Sequence, residues 1–262
     1  MISALAQLAE DPDLYVEPPE GAERIIDDRF CVTIGSERRW AGVCHLRIAD
    51  EPDAVSATTD EILGLVGDIE RTFWNIGSTA EPPSLPERLR ALGWRDPEPP
   101  WDPIAAAMVL AEEPPGADGI AVQRIETFDD HLAGLEIMLG SDRFSPEAMA
   151  RERAEARQTF ERRTRRGSLQ WLAFVDDTPV AFALADRSPV GLFLAGGATL
   201  PEARGRGCYR ALVRARWDEA RVLGLPGLAV QAQYKSSAPI LRRLGFVETA
   251  TVHTLRSPAT RS

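Results

Sequence analysis

The sequence has few cysteines and no long apolar run. Its three cysteines, Cys31, Cys44 and Cys208, are an odd number without C-x-x-C spacing. This pattern argues against a disulfide framework and against a structural zinc site, so we predict no bound metal. The longest apolar run, 190–200, contains three glycines and is far shorter than the roughly 20 residues that a membrane span needs. We therefore expect no association with a membrane.

An export signal is also missing from the sequence. No basic start precedes an apolar stretch, and acidic residues arrive early, at Glu10, Asp11 and Asp13. A cytoplasmic location is therefore the expectation. The 44% of hydrophobic residues can form a core, and the 27% of charged residues include both signs, which excludes a disordered chain or a collagen.

Charge is distributed unevenly along the chain. Residues 1–120 carry 9 basic and 24 acidic side chains, a net charge of −15, whereas residues 121–262 carry 21 and 16, a net charge of +5. The acidic half argues against a nucleic-acid partner. The mildly basic half favours a small anionic ligand.

A Pro/Gly/acidic stretch at 112–119 separates two apolar segments and is typical of a linker. We therefore predict two domains, 1–115 and 119–256. The second contains a meander of three antiparallel strands (169–175, 180–185 and 190–200), followed by a helix over 205–223. The predicted order of strands and helices in this half is β-α-α-β-β-β-α-β-α-β.

The first half contains a sequence that resembles one in the second. Residues 89–94 (LRALGW) repeat residues 241–246 (LRRLGF), and each copy follows one strand-like segment and precedes another. Two interpretations stay open. Either the halves arose by internal duplication, or each copy is a common way to end a helix at glycine and enter a strand.

The stretch 196–212 contains the strongest candidate for a ligand-binding site. A strand there leads into a turn with two spaced glycines, Gly205 and Gly207, and a helix begins at once. Several backbone N–H groups at a helix N-terminus form an anion-binding seat. Arg204 and Arg206 add positive charge. No G-x-x-x-x-G-K-[ST] motif is present, and the turn lacks the third glycine and acidic partner of a dinucleotide-binding fold.

Residues 204–209 (RGRGCY) resemble the R/Q-x-x-G-x-G/A signature of the GNAT N-acetyltransferase family. Residues 237–246 (SAPILRRLGF) resemble that family's last-helix pattern, and the order of elements over 120–255 is similar as well. One position departs from the signature, because Tyr209 stands where Gly or Ala is usual. The resemblance implies an α/β (α+β) GNAT fold, with a mixed, mostly antiparallel sheet flanked by helices.

The resemblance also implies a cofactor, acetyl-CoA. Its pyrophosphate would bind the loop amides, and its pantetheine arm would follow the fourth strand of the domain beside a bulge at Gly196–Gly197. The implied coenzyme-binding residues are Ala198, Thr199, Leu200, Arg204, Gly205, Arg206, Gly207, Cys208, Tyr209 and Ser237.

The catalytic residues are less clearly marked. The tyrosine acid of many family members would align with Leu241, and residues 190–200 contain no carboxylate. Tyr234, directly after the fifth strand of the domain, is the predicted catalytic residue; the alternative is a packing or coenzyme contact. Tyr209, Cys208 and His253 are weaker candidates.

The first half resembles a degenerate GNAT-like unit without a glycine loop, as in tandem members of the family. Acidic residues at 50–53 precede its predicted helix, 59–71, and would repel a pyrophosphate, so this half should not bind CoA. The predicted function is acetyl transfer to a small-molecule or protein amine, with a cationic acceptor favoured by the acidic half. Glu126, Asp142 and Glu147 are candidates for attracting it. The alternative is a catalytically silent acyl-CoA-binding or regulatory protein.

Overall fold

The computed structural model describes residues 2–69, 71–98, 102–116, 119–141 and 144–258. The chain forms two compact units. We call one the C-terminal unit; it comprises Met1–Leu5, Val109–Val230 and Leu241–Val247. The other, the N-terminal unit, comprises Ala6–Met108, Gln231–Ile240 and Glu248–Ser262. These units differ from the two halves of the sequence, because the chain returns to the N-terminal unit near its end. Within the described ranges, no helix has the length and apolar character needed to cross a membrane.

The helices are α1 (Ile2–Glu10), α2 (Pro52–Val66), α3 (Leu85–Ala91), α4 (Phe128–Leu139), α5 (Pro146–Ala154), α6 (Ala156–Arg166), α7 (Cys208–Val222) and α8 (Ser237–Arg243). The strands are β1 (Glu23–Ile26), β2 (Cys31–Ile34), β3 (Ala41–Cys44), β4 (Thr72–Gly77), β5 (Ile104–Leu110), β6 (Ala121–Arg124), β7 (Leu169–Val175), β8 (Thr178–Ser188), β9 (Gly191–Thr199), β10 (Leu228–Gln233) and β11 (Val247–Arg256).

Two helix predictions need correction. The predicted helix 59–71 begins earlier, at Pro52, because proline suits the first turn of a helix and the preceding Glu51 has an extended backbone. It also ends earlier, at Val66. The helix predicted from Ser145 to Gly167 is two helices, α5 and α6, which are separated at Glu155, whose φ and ψ are −92° and 2°. Its predicted ends are confirmed. The Ser145 hydroxyl accepts a hydrogen bond from the Ala148 N–H at 3.3 Å, and Gly167 ends α6 in a left-handed conformation.

The predicted meander is confirmed in the C-terminal unit. Strands β6, β7, β8 and β9 pair antiparallel in sequence order. A two-residue turn joins β7 to β8, and both its residues, Asp176 and Asp177, have positive φ, as a tight hairpin of right-handed twist requires. Strand β10 then pairs with β9 in parallel, with α7 as the crossover.

Helices pack on both faces of this sheet. Phe182 and Ala198 belong to an apolar cluster with residues of α4. Their strand neighbours, Ala183 and Gly197, lie on the opposite face because successive residues alternate. The Tyr209 ring of α7 comes within 3.8 Å of the position that a Cβ of Gly197 would take, so α7 covers that second face. The mixed, mostly antiparallel sheet flanked by helices is thus as predicted.

The N-terminal unit repeats this order of elements. Strands β1, β2 and β3 pair antiparallel, α2 follows, and β4 pairs with β3 in parallel. Helices α2 and α7 are each 15 residues long. The last strand of the chain, β11, pairs antiparallel with β4, from Val252 opposite Gly77 to Arg256 opposite Phe73. Trp74 lies fully buried in the core, with its ring 5.2 Å from that of Trp94.

The repeated L-R-x-L-G-aromatic sequence has the same conformation in both copies. Gly93 and Gly245 have φ values of 101° and 94°. The Trp94 N–H donates to the Leu89 carbonyl and the Phe246 N–H donates to the Leu241 carbonyl, at 3.0 and 3.1 Å. Both copies therefore end a helix with the same left-handed glycine motif. Internal duplication and a common helix end both fit this match.

His131 is a buried titratable group on α4. Its side chain is 2% exposed, its Nδ1 atom lies 3.1 Å from Oε1 of Gln170, and its ring centroid lies 5.4 Å from that of Phe160. Burial lowers the pKa of His131 below its ordinary value of 6.5, because the charged imidazolium loses its hydration.

We expect the free energy of unfolding to decrease as the pH falls below 6.5. The unfolded chain takes up a proton on His131 at the ordinary pKa, whereas the folded chain does so only at lower pH. His131 therefore contributes to stability at a pH above its pKa in the unfolded chain. This contribution is lost as the pH falls towards the pKa of His131 in the folded chain, by no more than about 1.4 kcal/mol per pH unit. Urea unfolding at several pH values should show a flatter dependence for His131→Asn than for the wild type, and equal slopes would contradict this assignment.

Candidate functional site

Strand β9 contains a bulge just before its glycine pair. Leu184 of β8 pairs with Gly196, whereas Asp186 pairs with Phe193, so β9 has one residue more than β8 in this interval. The bulge was predicted at Gly196–Gly197, and the extra residue lies immediately N-terminal to that pair. A bulge bends its strand and increases the local twist.

Pairing between β9 and β10 is short. Leu192 lies opposite Leu228, and Phe193 lies opposite Ala229. Among the described residues of the C-terminal unit, the parallel register extends no further. The pairing therefore ends where the bulge begins.

The last residues of β9 direct backbone groups away from β8. The Leu200 N–H donates to the Val180 carbonyl at 3.0 Å, which fixes the phase of hydrogen bonding along the two strands. Because hydrogen-bonded and non-hydrogen-bonded positions alternate in an antiparallel pair, the N–H and C=O groups of Gly197 and Thr199 point to the opposite edge of β9. An extended, peptide-like ligand could pair with those groups.

The predicted coenzyme residues at the end of β9 differ in where their side chains lie. Those of Ala198 and Leu200 pack against the apolar cluster around Phe182. Thr199 lies half-buried on the other face. Any contact of Ala198 or Leu200 with a ligand at the strand edge would therefore involve their backbone.

The loop after β9 has the conformation that its two glycines allow. A 3₁₀ turn at Pro201–Ala203 leads to Gly205 and Gly207, which have φ values of 79° and 91°. Residues with a Cβ rarely adopt such values. No heavy atom outside its neighbours lies within 4 Å of a Cβ built on Gly205, and the nearest to one on Gly207 is Arg210 Nη2, at 3.5 Å. The loop is therefore open to a ligand that approaches the main chain.

Helix α7 begins directly at this loop. Gly207 is its N-cap, no side chain caps the helix, and its first turn contains no acidic residue. The first intrahelical hydrogen bond runs from the Ala211 N–H to the Gly207 carbonyl, at 3.0 Å. The N–H groups of Cys208 and Arg210 precede it in the first turn, where the geometry of a helix provides no intrahelical acceptor. They lie at the positive end of the helix dipole, where an anion is stabilised.

Arginines surround these N–H groups. Arg204, Arg206 and Arg210 are exposed. Arg204 Nε donates to the Thr199 carbonyl at 3.4 Å, and Arg206 lies 3.5 Å from the Asp176 carboxylate. Since the side chain of Arg206 is 51% exposed and that of Asp176 is 89% exposed, their ion pair is weak and a stronger anion can displace it.

Tyr209, the departure from the family signature, packs away from the loop. Its ring lies against β9 at Gly197, and the guanidinium of the buried Arg216 stands 5.9 Å from the ring centroid. The side chain fills space between α7 and the sheet, while its backbone N–H belongs to the first turn of the helix. A bulky residue at this position is therefore compatible with an open loop.

The three cysteines are free and buried. Burial raises the pKa of the Cys208 thiol, which opposes a role as nucleophile. Cys31 and Cys44 lie opposite one another on β2 and β3, a pairing that their spacing in the sequence did not predict.

We expect slow thiol chemistry in the native protein. Cys31, Cys44 and Cys208 are each no more than 2% exposed, so a bulky aromatic disulfide reagent should not reach them without local unfolding. In denaturant all three thiols should react at once. Rapid native labelling of even one thiol, followed by peptide mass analysis, would contradict the burial described above.

Tyr234 and Ser237 belong to the N-terminal unit. The Tyr234 hydroxyl donates a short hydrogen bond to Glu248 and lies 3.2 Å from the Thr251 hydroxyl. The Ser237 hydroxyl accepts a hydrogen bond from the Gln233 N–H at 3.0 Å. Glu248 was not predicted as a partner of Tyr234, because the two residues are fourteen positions apart in the sequence and belong to different strand ends.

The remaining candidates are more scattered. Glu126 and Glu147 are exposed, and a hydrogen bond from its own backbone N–H lowers the pKa of Glu147. Asp142 lies outside the described residues. His253 is half-buried on β11, opposite Ile76 of β4. Leu241, at the position of the family's tyrosine, is fully buried.

The N-terminal unit has a different chemistry at the corresponding place. Helix α2 carries Glu51 at its N-cap and Asp53 in its first turn, so its positive end is already compensated. His45 follows β3, and its N–H donates to the buried Asp11 carboxylate at 3.1 Å. Acidic side chains thus stand at the N-terminus of α2, whereas arginine side chains stand at the N-terminus of α7.

Comparison with known proteins finds a family model that is similar to the part of the chain containing this site. Residues 136–246 match the model of the acetyltransferase (GNAT) family. No significant match to curated protein sequences is found.

Solved structures share the fold over nearly the whole chain. A GCN5-related N-acetyltransferase from Kribbella flavida is 17% identical, with a TM-score of 0.68, and the alignment covers 98% of this chain and 95% of that one. A tandem GNAT protein from the clavulanic acid biosynthesis pathway is 13% identical, with a TM-score of 0.63 and coverage of 98% and 88%. A conserved protein of unknown function from Staphylococcus epidermidis is 13% identical, with a TM-score of 0.64 and coverage of 93% and 95%. Together with the match at 136–246, which includes the β9–α7 loop, these findings show that the chain has the fold of these proteins and contains a region similar to the GNAT family.

Proposed function

We propose that this protein is an acetyl-CoA-dependent N-acetyltransferase that binds the coenzyme diphosphate at the N-terminus of α7. One observation carries the proposal: the first turn of α7 offers N–H groups without an intrahelical acceptor, beside two left-handed glycines and without an acidic side chain. Phosphate oxygens accept hydrogen bonds from such groups, and the helix dipole favours their charge.

The surrounding residues fit the rest of the coenzyme. Arg204 and Arg206 are exposed beside the loop and can neutralise phosphate charge. The outward N–H and C=O groups of Gly197 and the outward N–H group of Thr199 can hydrogen-bond to the amides of a pantetheine arm, in the manner of an added strand. The coenzyme supplies an acetyl thioester. The protein must bind it and transfer protons to and from the reacting groups.

We propose an amine as the acceptor. An alkyl amine with a pKa near ~10 is protonated at neutral pH, so it must lose a proton before it attacks. Residues 1–120 carry a net charge of −15, which supports attraction of a cationic amine to the protein. Tyr234 is the proposed proton-transfer residue. A cytoplasmic location is also proposed, because a reducing compartment keeps thiols such as these three in the free form.

Two measurements test this function. Isothermal titration with acetyl-CoA and with CoA should show saturable binding at one site per chain. Thiol release should then depend on an added amine across a panel of small amines and lysine peptides. Failure to bind either coenzyme would overturn the assignment.

A specific observation favours one alternative, a catalytically silent acyl-CoA-binding protein. Leu241 occupies the position at which many family members carry a tyrosine, and it is fully buried. Saturable binding without thiol release across the whole panel would favour this alternative. Release of thiol with even one amine would exclude it.

A further inference from the structure

Two cysteines of the N-terminal unit face each other across a strand pair. Cys31 begins β2 and Cys44 ends β3, and the antiparallel register places them directly opposite each other. We propose that this pair is an oxidation site, at which a peroxide converts the two thiols into a disulfide within the chain. Oxidation at this pair does not depend on the proposed function.

The spacing of the two residues suits a disulfide. The Gly35 N–H donates to the Trp40 carbonyl at 2.8 Å, and hydrogen-bonded positions alternate along the strands, so Cys31 and Cys44 form a hydrogen-bonded pair. The Cα atoms of such a pair lie about 5.5 Å apart, a separation that is common in disulfides. The bond can therefore form without a large movement of the strands.

The two thiols already contact each other. A hydrogen bond between them lowers the pKa of Cys31 and, together with burial, raises the pKa of Cys44 well above its ordinary value. These opposite directions identify the Cys44 thiol as the donor and the Cys31 sulfur as the acceptor. Cys31 therefore forms a thiolate more readily than Cys44, and the thiolate is the reactive form of cysteine.

The pair lies on a face of β2 and β3 that has charged neighbours. Val32, next to Cys31, belongs to the core cluster of the unit, so the sulfurs point to the opposite face, because successive residues alternate. On that face, Asp13 Oδ2 lies 3.1 Å from the position that a Cβ of Gly42 would take. Arg24 of β1 favours the thiolate of Cys31, whereas Asp13 opposes it. The thiols therefore differ from cysteines that only fill an apolar core.

A small oxidant can reach the pair through local opening of β1. Cys31 and Cys44 are 0% and 2% exposed. Strand β1 is only four residues long and, within the described part of the chain, pairs with β2 alone. Its residue opposite Cys31, Ile26, is 51% exposed. Because a short edge strand opens at a small cost in free energy, hydrogen peroxide should enter where a bulky reagent does not.

Oxidation proceeds in two balanced steps. The Cys31 thiolate attacks one oxygen of hydrogen peroxide, the O–O bond breaks, and the released hydroxide takes up the proton that Cys31 lost. Cys31 is then a sulfenic acid. The Cys44 sulfur attacks the Cys31 sulfur, the S–O bond breaks, and the leaving hydroxide takes the Cys44 proton. Two thiols and one peroxide thus become one disulfide and two waters.

The test uses the full-length protein, reduced with dithiothreitol, separated from it and then treated with hydrogen peroxide. The number of thiols titrated in denaturant should fall from three to one, and peptide mass analysis should find Cys31 joined to Cys44 within one chain. Dithiothreitol should restore all three thiols. Cys208 is the internal control. Because burial raises the pKa of its thiol, it should react at least about 10-fold more slowly than Cys31.

Two matched variants separate the roles of the cysteines. In Cys44→Ser, oxidation of Cys31 should stop at the sulfenic acid, which dimedone traps, because no second thiol lies opposite it. In Cys31→Ser, Cys44 should keep its thiol, because burial still raises its pKa.

Several outcomes would overturn the oxidation site. These are retention of three thiols after peroxide treatment, disulfides between chains instead of within one, and equal rates of oxidation at Cys31 and Cys208. Oxidation of Cys44 in Cys31→Ser at the rate of Cys31 in the wild type would contradict the order of attack. Because the readout is the state of the thiols and not acyl transfer, each of these results leaves the proposed function unaffected.

Discussion

Replacing Gly207 by valine is expected to weaken coenzyme binding by about 100-fold or more, equivalent to roughly 3 kcal/mol. Gly207 has a φ of 91° at the N-cap of α7, a value that a β-branched residue does not tolerate. The backbone must rearrange, which turns the first-turn N–H groups away from a bound phosphate. Each hydrogen bond to a charged group contributes about 1.5–3 kcal/mol, so the loss of one or two accounts for the expected effect. Isothermal titration with CoA measures it.

The same helix provides a matched control. Gly224 follows the other end of α7 with a φ of 69°, and no heavy atom lies within 4 Å of a Cβ built there. Gly224→Val should impose comparable backbone strain and lower the unfolding midpoint, but leave coenzyme affinity unchanged. Unaltered CoA binding by Gly207→Val would mean that the diphosphate binds elsewhere.

Replacing Gly227 by alanine is expected to destabilise the C-terminal unit by about 3 kcal/mol, from a single added methyl group. A Cβ at Gly227 would lie 2.2 Å from the Leu110 carbonyl oxygen and 3.0 Å from Cδ1 of Leu5. Because the first of these atoms belongs to the backbone of β5, no side-chain rotation relieves the clash. The Gly227 carbonyl also accepts a hydrogen bond from the Leu192 N–H at 3.0 Å, so a shift of this segment disturbs β9.

Gly196→Ala is the corresponding control. Gly196 lies in β9 with an ordinary φ, and a Cβ there would have no heavy atom within 4 Å. Alanine in place of glycine at such a position changes stability by about 0.4–1 kcal/mol, in the stabilising direction, through the unfolded state. Equilibrium urea unfolding measures both variants. A loss of stability in Gly196→Ala as large as that in Gly227→Ala would contradict this account.

Much of the C-terminal unit could be predicted from local sequence. Strand β7 has the predicted bounds, 169–175, and β7, β8 and β9 form the predicted meander. Apolar alternation and the turn residues between the strands mark these elements. The glycine loop was found in the same way, because left-handed backbone positions select glycine wherever they occur.

Other features depend on contacts distant in the sequence and were missed. The side chain of Glu248 on β11 contacts the Tyr234 hydroxyl after β10, fourteen positions earlier in the chain, and no pattern near residue 248 indicates that partner. The predicted start of α2, at residue 59, is seven residues later than the observed start at Pro52, because the acidic stretch 50–53 resembles a loop. The sequence does not show whether the Tyr209 ring blocks the glycine loop, because the direction of the ring depends on its packing against Gly197, twelve positions earlier in the chain.

Strand β11 has a consequence for any attempt to divide this protein. The last strand of the chain runs beside β4, with Val252 opposite Gly77 and Leu255 opposite Trp74. A fragment ending at the linker would retain β4 but lose this neighbour, leaving a row of unsatisfied amides and carbonyls on an apolar edge that invites self-association. The N-terminal half should therefore not be produced without the residues of β11, and expression trials should include them.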